Sequence, residues 1–429
     1  MRRRSLALAA LLVIPRLAHA TAGTAFSETS STAALANAVS ARPGNAGTML
    51  QNPAGLADLS EPELVLCGHV DRLDQSFART GETAQDLGRW FGGFGIAVAT
   101  PLPGPWWLRR VRVGLALDLP AEHLLEVSVP VRADQPTSPL YGSRPDRVST
   151  LGTLAIDLAS WLKVGAGVAL TPSLDTPTQV TYVSGRAQSV DQSVVVRLDR
   201  SLSLGVSPFV GVRVQPTKTL GLALVYRDAA VSHATGSQQT VAGAILANDP
   251  IDFNAFWDPA ELTAGAAWGP LSNVTFSTDV TWHRWSQFKT GFDSDPAPAF
   301  NDTVSIRSGV EWQTRKWLAL RGGWAFEPSP IPEQTGNSNY IGANTVVLAL
   351  GGGVDLRPLA HVPLAIDLHF RTRIGATQTA HKDPSQLPDA SADLPGQQVD
   401  NLGYPGFSSQ ANAYQLGLTF RFFLAKERP

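Results

Sequence analysis

Apolar and polar residues alternate along Tyr414-Gln-Leu-Gly-Leu-Thr-Phe-Arg-Phe-Phe423. Tyr414, Leu416, Leu418, Phe420 and Phe422 take one face; Gln415, Gly417, Thr419 and Arg421 take the other. Successive side chains of a strand point to opposite faces, so this segment predicts a strand with one greasy and one wet side. The pattern returns at Arg110–Leu119, where Val111, Val113, Leu115 and Leu117 oppose Arg110, Arg112, Gly114, Ala116 and Asp118. It recurs near 63–70, 91–100, 149–158, 162–171, 207–214, 219–228, 259–268, 273–284, 304–313, 317–327, 345–356 and 362–374, which makes fourteen strands.

The runs are joined alternately by short turns, such as Ala159-Ser-Trp161 and Gln215-Pro-Thr-Lys218, and by long polar stretches. The long ones fall near 71–90, 120–148, 172–206, 229–258, 285–303, 328–344 and 375–412. Ser193-Val-Val-Val-Arg-Leu198 also has strand character, and reads as an extension of a strand rather than another crossing. Strands of about ten residues, short turns at one end and long loops at the other are the pattern of an outer-membrane β-barrel. The predicted fold class is all-β, a transmembrane antiparallel barrel of about fourteen strands. An even count brings both barrel termini to the periplasmic side.

The ends support that compartment. Arg2-Arg3-Arg4, an apolar run to Ile14 and Ala18-His19-Ala20 read as a signal peptide over residues 1–20. Without Arg2, Arg3, Arg4 and Arg16, 30 Lys and Arg remain against 36 Asp and Glu, a net charge of −6. Such a chain is a poor partner for nucleic acid. Cys67 is the single cysteine, so no internal disulfide or cysteine metal cluster is expected. His283, His361, His369 and His381 lack metal-ligand spacing, Gly-x-Ser-x-Gly is absent, and neither cofactor nor catalysis is expected.

Residues 21–60 do not alternate. Ser30–Val39 predicts a short helix, and Asn52-Pro53-Ala54-Gly55-Leu56 a turn opening another. Forty residues are too few for a core of their own, so the barrel lumen is their expected host. Barrel residues are then 61–424, with a short tail at 425–429.

Three stretches resemble one family. Ala25-Phe26-Ser27-Glu28 with Asn45 through Ala57 is similar to the N-terminal hatch of the FadL-type outer-membrane transporters. Phe276–Phe288 resembles a late strand of that family, and Leu320-Arg321 through Pro332 its Arg-Gly…Ser-Pro-x-Pro segment. The resemblance implies a plugged monomeric barrel in the outer membrane of a Gram-negative bacterium. It would pass fatty-acid-like or aromatic hydrocarbon compounds without energy input and release them sideways through the wall. Partners would be the hydrophobic ligand, outer-membrane lipid and lipopolysaccharide, and the barrel-assembly machinery. The rival readings are a general porin for hydrophilic solutes and an outer-membrane lipid hydrolase.

Candidate residues follow. Asn52 is expected to bond into the barrel wall, with Pro53, Ala54 and Gly55 completing the hatch motif. Of the arginines read as inward-facing (Arg110, Arg112, Arg213, Arg307, Arg321, Arg371 and Arg421), most are expected in lumen salt bridges; Arg321 is the candidate ligand contact. Phe253, Phe256 and Trp257, in a long loop, are candidates for capturing cargo or for packing the loops. Most other tryptophans, Trp285 among them, read as an interfacial girdle. Gly93 and Gly95 mark a lateral opening, where missing side chains leave room in the wall.

Overall fold

The computed structural model describes residues 29–424 except 122–133, 141–147, 176–177, 181, 185–195, 199–200, 243–244, 292 and 388–400; side chains at 172–204, 234–253 and 255 are outside that description. The expected signal sequence, the first hatch residues 21–28 and the tail 425–429 therefore lie outside the described residues.

Fourteen antiparallel strands form one closed sheet. In chain order they are β1 Glu63–Arg79, β2 Arg89–Pro101, β3 Val111–Pro120, β4 Ser149–Ala159, β5 Leu162–Asp175, β6 Ser201–Thr217 and β7 Leu220–Arg227. Then come β8 Glu261–Leu271, β9 Val274–His283, β10 Thr303–Arg315, β11 Leu318–Glu327, β12 Thr345–Asp355, β13 Leu364–Gly375 and β14 Gly406–Phe423. Each pairs with its successor, and β14 closes on β1 from Phe423 opposite Glu63 to Phe407 opposite Arg79. Closure removes the open edge that hydrocarbon would penalise by several kcal/mol per unpaired backbone group.

The alternation keeps its expected sense. Phe94, Leu115, Val206, Leu350 and Leu416 face outward and exposed; Gly95, Gly114, Ser207, Gly351 and Gln415 point inward. Short turns gather at the end that also holds Glu63 and Phe423, the periplasmic end by the rule for such barrels.

Three expectations change. Residues 229–258 are no plain loop: Ala230–Ala242 and Ile245–Asp258 pair as a hairpin, while β7 and β8 pair directly beneath it. Among the described residues Val196–Leu198 pairs with Thr178–Val180 alone, outside the barrel sheet rather than as an extension of a barrel strand, which leaves the count at fourteen. The helix expected over 30–39 lasts one turn, Ser30–Ala33, because Ala36 and Asn37 take left-handed φ of 50° and 63°. Two 3₁₀ turns follow, Ala46–Thr48 and Pro53–Asp58.

Candidate functional site

The N-terminal segment is seated on glycines. At Gly114, Gly165, Gly211, Gly221, Gly265, Gly309, Gly323 and Gly351, on eight different strands, an added Cβ would meet residues 34–54 of the segment. At Gly221 it would lie 2.7 Å from the Ala41 carbonyl oxygen, and at Gly309 2.9 Å from Leu35. The belt lets barrel backbone approach segment backbone, which is the positional use of strand glycine.

Charged and hydroxyl groups of the wall then pin the segment at intervals. Ser30 N–H donates to Thr419 Oγ1 at 2.8 Å. Asp279 of β9 accepts the Val39 and Ser40 N–H groups at 3.0 Å each and the Ser40 hydroxyl at 2.7 Å. Arg42 pairs with Glu311, and Asp58 with both Lys163 and Arg213. Asn52 departs from its expected role. Its Nδ2 donates to Ser40 O at 2.7 Å and its Oδ1 accepts from Ala54 N–H at 2.9 Å, both within the segment, and the wall meets it only by packing at Gly211. Asn52 is the cap of the Pro53–Asp58 turn.

The rest of the lumen has two characters. Val65, Ala97, Ala99 and Ala155 on β1, β2 and β4 pack with Met49 and Leu56, and Leu151, Ala169 and Phe209 continue the apolar wall to β6. Polar breaks in it include the His69–Asp71 pair and Asp118. From β6 round to β13 the wall is charged: Arg227 and His283 with Glu261, Arg307 and Arg373 with Glu327, and Arg321 with both Glu311 and Asp367 at 2.6 and 2.5 Å. Arg321 is thus a lumen ion-pair residue held by two carboxylates. Arg110 does not enter the lumen; β3 starts one residue later, and Arg110 is exposed in the preceding turn.

Cavities follow the same division. One cavity of about 480 Å³ lies under the segment at the periplasmic mouth and is lined by Arg42, Asp58, Glu63, Glu311, Arg321 and Arg421. The apolar wall holds a narrow cavity of about 20 Å³ between Met49, Leu50, Val65, Cys67, Gly95 and Leu151. It has room for roughly one water, so a larger guest must part its walls.

Gly93 and Gly95 face inward beside it, but the wall is closed at both. Gly93 lies opposite His69 and Pro120, and Gly95 opposite Cys67 and Asp118. An added Cβ at Gly93 would lie 2.9 Å from His69 Nε2, so neighbouring side chains already fill the expected gap. Opposite Gly93 stands Pro120, which has no N–H to give to the ladder, and the next bond of β3 toward β2 is Ala121 N–H to Gly92 O at 2.8 Å.

Above the lumen an aromatic cluster closes the extracellular end. Trp257, Trp285, Phe288, Phe300, Leu140 and Ile331 pack onto Leu73 of β1 and Phe91 of β2. Phe288 stacks on Phe300 with centroids 4.7 Å apart, and Tyr340 meets Phe300 edge-on at 5.1 Å. Phe256 and Trp257 are therefore buried on the second hairpin strand, not exposed in a loop, and Trp285 is a cluster residue rather than part of a girdle. Phe253 lies on the same hairpin strand, and its side chain is outside the described residues.

A strap over residues 334–341 covers the cluster and is tied by groups that the sequence pattern did not single out. Asn339 Nδ2 donates to Asp134 O at 2.6 Å, and Lys382 Nζ to Gly336 O and Ser338 O at 2.8 and 2.7 Å. The ammonium also lies over the Phe407 ring at 5.3 Å. Burial pushes the Lys382 amine down to about 8, partly opposed by Asp134. An opened strap returns the amine toward the ordinary lysine value of about 10.4, so the closed form holds its proton less firmly. Closure should strengthen as pH rises from about 8 toward 10 and be flat below 8. Amide exchange at 334–341, corrected for intrinsic rate, should show this protection in the native chain and lose its pH response in Lys382→Met. A pH-independent profile in the native chain contradicts the account.

Comparison with known proteins adds the last observation. The family model for outer-membrane protein transport proteins (OMPP1/FadL/TodX) matches residues 148–422. Alkane uptake protein A of Marinobacter nauticus is 24 % identical over 261 residues, 54 % of this chain and 56 % of that protein, so the chain spans little more than half of its relative's length. Among solved structures, a FadL homologue of Pseudomonas aeruginosa superposes with a TM-score of 0.62 at 13 % identity, covering 93 % of this chain and 98 % of that one. The toluene transporter TodX of P. putida gives 0.55 at 14 %, covering 92 % and 98 %. At such identities these likenesses show the fold. The family model, spanning more than half the chain, places it in a lineage: the protein belongs to the outer-membrane transport family OMPP1/FadL/TodX.

Proposed function

We propose that this outer-membrane barrel is a passive route for uncharged or weakly polar hydrocarbons, alkane-like or aromatic, with residues 21–60 as its plug. The observation that carries the reading is the apolar wall of β1–β6, which runs from the aromatic cluster at Leu73 and Phe91 down to Met49 and Leu56. A lipophile gains roughly 0.8 kcal/mol per buried CH₂ along such a surface. The alternative path through the mouth is lined by ion pairs. Arg321, held by two carboxylates, offers no free guanidinium to a fatty carboxylate, which favours hydrocarbons over fatty acids. The names of the relatives, an alkane uptake protein and a toluene transporter, point the same way. The test is mass spectrometry of lipophiles that co-purify with the barrel. Recovery of none, together with sugar permeation in liposomes, would support the porin reading instead.

Cargo leaves, in this proposal, sideways at β2, where Pro120 of β3 offers Gly93 no N–H and the strand carries Gly92, Gly93 and Gly95. Gly93→Trp and Gly95→Trp should crowd His69 and Cys67, obstruct any parting of the wall there and cut uptake by roughly tenfold while the barrel keeps its heat-modifiable mobility. Folded variants that transport normally would exclude an exit here.

A further inference from the structure

One surface has no part in the cargo route. The turn between β2 and β3 carries Trp106 and Trp107, 73 % and 56 % exposed, followed by exposed Arg109 and Arg110. No other large apolar side chain among the described residues is as open as Trp106.

The turn is rigid. Leu108 and Arg109 N–H donate to Pro105 O at 3.0 and 3.1 Å, and Arg110 N–H to Trp107 O at 3.3 Å. Arg109 Nε donates to Gly104 O at 2.8 Å, and Arg110 Nη1 to Leu158 O of β4 at 3.1 Å. Gly104 supplies a φ of 134° that a side chain would resist. The Arg110 guanidinium lies over the Trp106 ring at 5.6 Å. Held this way, Trp106 and the two guanidinium groups lose little further freedom on meeting a partner.

Charge decides the partner. No acidic residue occurs between Asp86 and Asp118, while Arg109, Arg110 and Arg112 fall in that stretch. The turn stands at the periplasmic end, where exposed Leu158 and Trp161 continue the same rim. Indoles favour the layer between headgroup and acyl chain, and guanidinium groups favour phosphate. We propose that residues 105–110 bind anionic phospholipid of the periplasmic leaflet, with Arg109 and Arg110 on the headgroup phosphate and Trp106 and Trp107 in the interfacial layer beneath it.

The test uses the full chain in nanodiscs of equal phosphatidylglycerol and phosphatidylcholine, with retained lipid counted by native mass spectrometry. The native protein should retain phosphatidylglycerol in preference by on the order of tenfold, from two arginines near the surface. R109Q/R110Q should fall to parity. R357Q, whose arginine is already paired with Asp355 and Glu61, should keep the preference. W106A/W107A should retain less of both lipids. Parity in the native protein, or an undiminished preference in folded R109Q/R110Q, overturns the proposal and leaves the turn facing water or a periplasmic protein.

Discussion

Gly265→Leu and Gly323→Leu are each expected to unseat the N-terminal segment and raise single-channel conductance severalfold, while the barrel itself stays folded. A Cβ at Gly265 would run into Ser40 and Asp279, the site of three hydrogen bonds that hold the segment. At Gly323 it would meet the Leu35 and Ala36 backbone, which cannot rotate away as a side chain can. Overpacking of this kind costs about 1–3 kcal/mol, comparable to the loss of one or two pins. The segment has no core of its own to resist the strain. Gly322→Leu is the control: its nearest atoms, Ala349 O and Val310 Cγ1, are both 4.0 Å away, so the added side chain has room. Planar-bilayer recordings decide the matter. Native conductance in both inward variants, with the segment still shielded from protease, would contradict a glycine-seated plug.

The second large effect concerns the apolar wall. Val65→Asp should lower lipophile uptake by about a hundredfold, because burying an unpaired polar group costs several kcal/mol and each 1.36 kcal/mol is tenfold in rate. Val65 is 1 % exposed and borders the narrow cavity with Met49 and Cys67. Val65→Thr, with nearly unchanged shape, should give a smaller loss and separates polarity from misfolding. Arg371→Gln, on the charged side, should leave uptake within a factor of a few. Cells that take up labelled alkane at native rates with folded Val65→Asp would place the route elsewhere.

The strands were legible because a half-greasy strand writes its period into the chain, as Tyr414–Phe422 and Val111–Leu117 show. The hairpin at 230–258 was not, since Asn248-Asp249-Pro250 and the Ser and Gln residues before it mimic a loop when no lipid face is required. Burial of Phe256, Trp257 and Trp285 was also hidden: loop packing on loop leaves no period to read. The glycine belt depends on register across eight strands, so each glycine alone looked like an ordinary small inward residue. The sequence reads Asn52 as a bond into the barrel wall, yet a short capping side chain satisfies its own turn before it can reach a wall. Lys382 carried no motif at all; only the folded strap shows what its ammonium holds.

The most direct measurement compares two permeation rates in one preparation. Proteoliposomes holding the native barrel are expected to take up a labelled long-chain alkane or toluene several times faster than empty vesicles, while sugar permeation stays at background. Rapid sugar permeation with no gain in hydrocarbon uptake would contradict the account.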